Sequence, residues 1–161
     1  MDWIVQKCTE VGAARFIPFV SERTIVQYDA KKEAKRVDRW RKIAKEAAEQ
    51  SQRNRIPDVE PPVFFDELLK RVSEADIALF CYEKEQSLGL KEALQSLVLP
   101  KNPRTILVIV GPEGGFSEEE VLKAQRAGCL PVHLGRRILR TETAALAALS
   151  CILYECGEMG G

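Results

Sequence analysis

Thr105-Ile-Leu-Val-Ile-Val-Gly-Pro-Glu-Gly-Gly-Phe-Ser-Glu-Glu-Glu120 decides the fold class of this chain. Thr105 to Val110 reads as a continuous apolar strand, the pattern of a strand covered on both faces. Gly111 to Gly115 make a glycine-bearing loop. Ser117 and Glu120 then form a capping box opening a helix that Gly128 closes. A second unit of the same plan follows, with a strand over Leu130 to Leu134, a loop through Arg140 and a final helix from Thr141 to Tyr154. That last helix is apolar nearly all round, which predicts burial. Upstream, Phe65 to Val72 reads as helix, Asp76 to Tyr82 as strand and Leu88 to Leu97 as helix. Such alternation predicts an α/β fold with a mostly parallel sheet flanked by helices. Parallel sheets bind ligands just beyond the carboxyl ends of their strands, so two unusual loops at that edge suggest one pocket with two walls.

The N-terminal part is less regular. Asp2 is placed to cap a short helix running to Glu10 or Val11, with Gly12 as its stop. Arg15 to Val20 reads as a strand whose Pro18 points to an edge or strand end. From about Lys32 to Arg53 the chain is helical, with Val37, Trp40, Ala44, Ala47 and Ser51 in one apolar or small stripe. Arg39, Ile43, Glu46, Gln50 and Arg53 lie on its flank. Pro57, Pro61 and Pro62 mark the loop that follows.

The 161 residues suit one domain, 1–161, and carry no net formal charge. Ten Lys or Arg against four Asp or Glu nevertheless crowd the stretch from Lys31 to Arg55. Arg136, Arg137 and Arg140 cluster in the second loop, so neutrality overall hides basic faces that suit phosphates. Five cysteines without a CxxC pair, beside a single histidine, argue against a zinc site and for a reducing compartment. No metal is expected. Cys151 and Cys156 read as packing residues, and His133 as a satisfied strand histidine. The longest apolar stretch, Ala144 to Tyr154, is too short for the roughly 20 residues that span a bilayer. A soluble, cytoplasmic protein is expected.

The glycine loop fits neither the dinucleotide fingerprint nor a Walker A loop, since the spacing of the first and the Gly-Lys-Ser/Thr of the second are absent. Its glycines alone suit a tight turn before a capped helix. Glu113, a carboxylate between Pro112 and Gly114, favours function. At Gly111 a side chain would obstruct a ligand lying on the sheet edge. The second loop is harder to explain as connection. Capping accounts for Thr141 or Thr143 as cap oxygens and for Glu142 beside the helix dipole. It leaves the run Ile138, Leu139 and Arg140 without a reason, whereas an apolar pocket wall gives it one.

Five segments in order resemble the RsmE family of ribosomal RNA methyltransferases, within the SPOUT superfamily. They are Gln6 to Gly12 with Phe16 to Phe19, Ser21 to Arg23, Glu46 to Arg53, Gly111 to Ser117, and Leu134 to Ala144. The resemblance implies a C-terminal deep trefoil knot over roughly residues 105–156, S-adenosyl-L-methionine as methyl donor, and a homodimer. It implies methylation at N3 of one uridine in the 16S ribosomal RNA of the small subunit. It also implies an N-terminal PUA-like RNA-binding barrel, which is absent from this chain. Without that barrel, a cofactor- or RNA-binding module lacking catalysis is the alternative. A nucleotide-binding enzyme using Gly111 to Gly115 as a phosphate loop is a further one, disfavoured by the missing Lys-Ser/Thr.

On that reading the cofactor lies against Leu134, Gly135, Ile138, Leu139 and Thr143, with Gly111, Gly114 and Gly115 giving it room and the loop after Tyr82 as third wall. Arg23, Gln50, Arg53 and Arg137 are the expected RNA or dimer contacts. Arg140 is assigned the stabilisation of a uracil anion, and Glu142 or Glu113 the acceptance of its N3 proton.

Overall fold

The computed structural model of the chain describes residues 1–24, 30–96 and 105–160. Helix α1 (Asp2–Val11) is followed by two short strands, β1 (Arg15–Phe16) and β2 (Phe19–Val20), and by the long helix α2 (Ala30–Gln50). Strands β3 (Asp58–Val59) and β4 (Val63–Phe64) lead into α3 (Phe65–Lys70) and a 3-10 turn over Arg71–Glu74. Then come β5 (Ile77–Cys81), α4 (Leu90–Ser96), β6 (Ile106–Val110), α5 (Glu118–Arg126), β7 (Leu130–Val132) and α6 (Thr141–Glu155). Every strand pair is parallel, as the alternation predicts: β6-β5-β7 form one sheet, β1 pairs β3, and β2 pairs β4.

Several local expectations need correction. Asp2 is not a cap. Its carboxylate instead accepts from Trp40 Nε1 at 3.0 Å and pairs with Arg39, fastening α1 to α2. The strand expected over Arg15–Val20 is split at Ile17-Pro18, because Pro18 has no N–H for a ladder and its carbonyl accepts from Val63 at 3.0 Å. The proline-marked loop after α2 holds β3 and β4. Helix α2 ends at Gln50 rather than Arg53. Gln52 takes a φ of 57° and donates to Glu49, while Arg53 N donates to Ala48, the paired bonds of a Schellman stop. Helix α4 starts two residues later than expected, and Leu97 lies outside the described residues. The strand expected to be covered on both faces, β6, lies at the edge of its sheet and is mostly half-buried.

Three packed groups hold these elements. Phe65, Phe80 and Phe116, with Phe19, form an aromatic group between β5, α3 and the glycine loop, with Phe80 and Phe116 centroids 4.2 Å apart. Both of these rings are fully buried, each worth about 2–3 kcal/mol in removed apolar surface. Leu79, Val132, Leu90, Ala148 and Ile152 join the opposite sheet face to α4 and α6. Val5, Trp40 and Ala44 join α1 to α2, with Ala145 and Leu149 of α6 against them. Helix α6 therefore touches two groups, yet Ala144, Ala148 and Ile152 are its buried positions. The expectation of complete burial fails: Tyr154 is 66% exposed and Cys151 is exposed, so Cys151 is no packing residue here.

Candidate active site

Parallel strands deliver their following loops to one edge, and here three loops meet there. Residues 82–89 follow β5, 111–117 follow β6 and 133–140 follow β7. The first and third are joined backbone to backbone: Tyr82 N donates to Val132, His133 N to Leu88 and Leu90 N to His133, each at 3.0 Å. The second is joined to the start of α6 by Thr141 Oγ1, which donates to the Gly111 carbonyl at 2.9 Å. Arg140 and Glu142 flank Thr141, and Glu113 stands two residues beyond Gly111. That bond sets the start of α6 against the base of the glycine loop.

Each glycine has a local reason. At Gly111 a Cβ would lie 2.7 Å from the Phe116 ring, so the absence of a side chain here makes room for a core aromatic. Gly114 lies against Arg23, whose Nη1 donates to the Gly114 carbonyl at 3.1 Å. Gly115 has a φ of 67° and donates to Pro112 at 2.9 Å, closing a tight turn. A Cβ there would meet Glu83 Oε1 at 2.6 Å. Glu83 belongs to the loop after Tyr82, the expected third wall, so this loop lies against the glycine loop.

The third loop is open. Gly135 has a φ of 111° with nothing among the described residues within 4 Å of a Cβ, and Ile138 is 86% exposed. His133 Nδ1 accepts from Gly135 N at 3.1 Å, the satisfied state expected of it. Among the described residues, the backbone N–H groups of Arg136 to Arg140 have no protein partner. Leu134 and Leu139 are half-buried; Arg137 and Arg140 are exposed. Helix α6 has no side-chain cap, which corrects the assignment of cap oxygens to Thr141 or Thr143: the Thr141 hydroxyl is committed to Gly111, and Thr143 is exposed.

Ser117 and Glu120 form the expected capping box, with Ser117 N donating to Glu120 Oε2 at 3.0 Å. Glu120 is buried, and its other oxygen accepts from Glu22 N at 2.9 Å. The remaining RNA candidates sit apart from the loops. Arg53 Nη1 donates to the carbonyls of Thr9 and Ala13 at 2.8 and 2.7 Å, closing the C-terminal end of α1. Burial lowers its pKa, with Arg55 adding to the effect. Gln50, the last residue of α2, is exposed. A concavity of about 1670 Å³ opens between α1, β6 and α6; Gly111, Glu113, Thr141, Glu142 and Thr143 line one margin of it. Leu134, Gly135, Ile138 and Leu139 do not line it.

Comparison with known proteins adds a family. The family described as RNA methyltransferase domain matches residues 1–153. Ribosomal RNA small subunit methyltransferase E of Bacillus subtilis (strain 168) is 46% identical over 163 residues, covering 100% of this chain and 63% of that protein. The protein of the same name from Mesomycoplasma hyopneumoniae (strain 232) is 34% identical, covering 94% and 63%. A solved putative methyltransferase from Legionella pneumophila, in complex with bound cofactor SAM, superposes with a TM-score of 0.85 at 36% identity, covering 96% and 60%. Ribosomal RNA small subunit methyltransferase E from Neisseria gonorrhoeae, bound to S-adenosyl methionine, gives 0.81 at 37%, with the same coverage. This chain spans 60 to 63% of the length of these four relatives.

Proposed function

Because the chain belongs to the RNA methyltransferase domain family, we propose that it transfers a methyl group from S-adenosylmethionine to N3 of a uridine in 16S ribosomal RNA. The observation that carries this reading is the open third loop. Unpartnered backbone N–H groups from Arg136 to Arg140, beside the exposed Ile138, suit a flat heterocycle with acceptor nitrogens and apolar faces. Leu134, Gly135, Ile138 and Leu139 would hold the adenosine side of the cofactor, while Gly111, Gly114, Gly115 and Thr143 border the rest. S-adenosylmethionine, when bound, supplies an electrophilic methyl group on sulfur.

The chain's own residues then have two tasks. Uracil N3 carries a proton that must leave before its lone pair can attack. Glu142 or Glu113 accepts that proton, and the Arg140 guanidinium stabilises the anion on the uracil carbonyl oxygens. Holding acceptor and donor in line supplies much of the remaining rate. Arg23 and Arg137, both exposed cations at the edge of the loops, take RNA phosphates, with Gln50 and Arg53 further out. We read residues 105–156 as a trefoil knot, as the family resemblance of the sequence implies. Exposed apolar groups on the terminal helices, Trp3 and Tyr154 among them, support a homodimer. The protein acts in the cytoplasm, and among the described residues no helix is long and apolar enough to cross a membrane.

Titration calorimetry with S-adenosylmethionine, followed by methylation of unmodified small ribosomal subunits and nucleoside mass spectrometry for 3-methyluridine, tests the reading. Binding with transfer is expected. Binding without transfer would make the chain a cofactor-binding module, and absence of binding would overturn the assignment.

A further inference from the structure

Glu120 is a carboxylate with 5% of its surface exposed, and both its oxygens accept from backbone amides. Oε2 takes Ser117 N, as any capping box requires. Oε1 takes Glu22 N, 98 residues away in sequence, and the cap has no need of that bond. Glu22 belongs to a turn that is already stiff: Ser21 N donates to Thr24 Oγ1 at 2.9 Å, Thr24 N donates to Ser21 at 3.0 Å, and Ser21 is buried. The next residue, Arg23, rests on the glycine loop. Its Cβ would be 3.2 Å from a Cβ placed at Gly114, and its Nη1 donates to the Gly114 carbonyl. The turn is thus tied to the start of α5 by the buried Glu120 carboxylate and to the glycine loop by the Arg23 guanidinium.

We propose that Glu120 is a positioning residue for Arg23, holding it over the glycine loop so that its remaining N–H groups meet a phosphate of the bound RNA. This rests on the assignment of RNA as substrate. A guanidinium anchored through one N–H is pre-organised, and it loses less freedom on meeting a phosphate than a free side chain does.

The test uses wild type, Glu120→Gln, Ser117→Ala, Arg23→Ala and the double variant Glu120→Gln/Arg23→Ala. An amide side chain offers one acceptor oxygen for two backbone donors, so Glu120→Gln is expected to lower the hydrogen-exchange protection of the Glu22 amide about tenfold or more. Ser117→Ala removes a cap oxygen and leaves that protection in place. On small ribosomal subunits, Glu120→Gln and Arg23→Ala are each expected to raise KM for RNA with kcat little changed. The double variant should be no worse than Arg23→Ala alone, since the two act as one unit. Additive KM effects, or unchanged Glu22 protection in Glu120→Gln, would overturn the proposal. Calorimetry on wild type separates the failures: no S-adenosylmethionine binding removes the functional reading and the phosphate role with it, while the exchange measurement still decides whether Glu120 holds the turn.

Discussion

At Gly111 and Gly115 an added methyl group meets different obstacles. Beside Gly111 the obstacle is the Phe116 ring, fully buried among Phe19, Phe65 and Phe80, which has nowhere to move. Gly111→Ala is expected to cost about 2 kcal/mol by overpacking, read as a lower midpoint in denaturant. Beside Gly115 the obstacle is the end of an exposed Glu83 side chain that can swing away, leaving the strain of a positive φ, about 1 kcal/mol. The order of the two losses is the prediction. Arg140→Ala should lower kcat by about a hundredfold while S-adenosylmethionine affinity stays, as removal of an anion-stabilising donor does. The thiols of Cys8 and Cys129 give a pH signature. Burial pushes both from 9.0 up to about 11, so the folded state holds their protons longer than the unfolded chain. Their contribution to stability is complete below about pH 9 and is lost as pH rises towards about 11, which denaturant melts across that range will register.

Helix ends show which features can be read along the chain. The Ser117–Glu120 box and the Gly12 stop are spelled within a few residues, so the sequence announces both. The end of α2 is different, because the residue in the left-handed conformation is Gln52 and nothing in its type signals a stop. Gln52→Gly is expected to stabilise the protein by about 0.5–1 kcal/mol, seen as a raised melting temperature. Arg53 extends the point. A helix running to Arg53 would put it on a flank and suggest a ligand contact, whereas its guanidinium closes the end of α1 through carbonyls about forty residues away. Arg53→Ala should therefore cost about 2 kcal/mol of stability, measured in the absence of RNA. Likewise the second bond of Glu120, to Glu22, lies beyond any local pattern. Candidate loops are legible because strand, glycine and cap succeed one another; the contacts that aim them are set by packing between distant segments.

For the molecule as a whole, α/β alternation is legible because each strand and its crossover helix leave a local period. The division of the strands into one larger sheet and two small pairs is not, because two-residue strands such as β3 and β4 have no period to show. Partner exchange is testable at this scale. Sedimentation should report a dimer, and Tyr154→Glu, which puts a charge on the exposed face of α6, should shift it towards monomer. The parallel arrangement has a further consequence, in time rather than space. Glu22 emerges during synthesis 98 residues before the carboxylate that receives its amide. At about 5–20 residues per second, roughly 5 to 20 s pass before that partner has been made. Through that interval the Glu22 amide lacks the acceptor it has in the folded chain, so the order of synthesis makes this bond a late one.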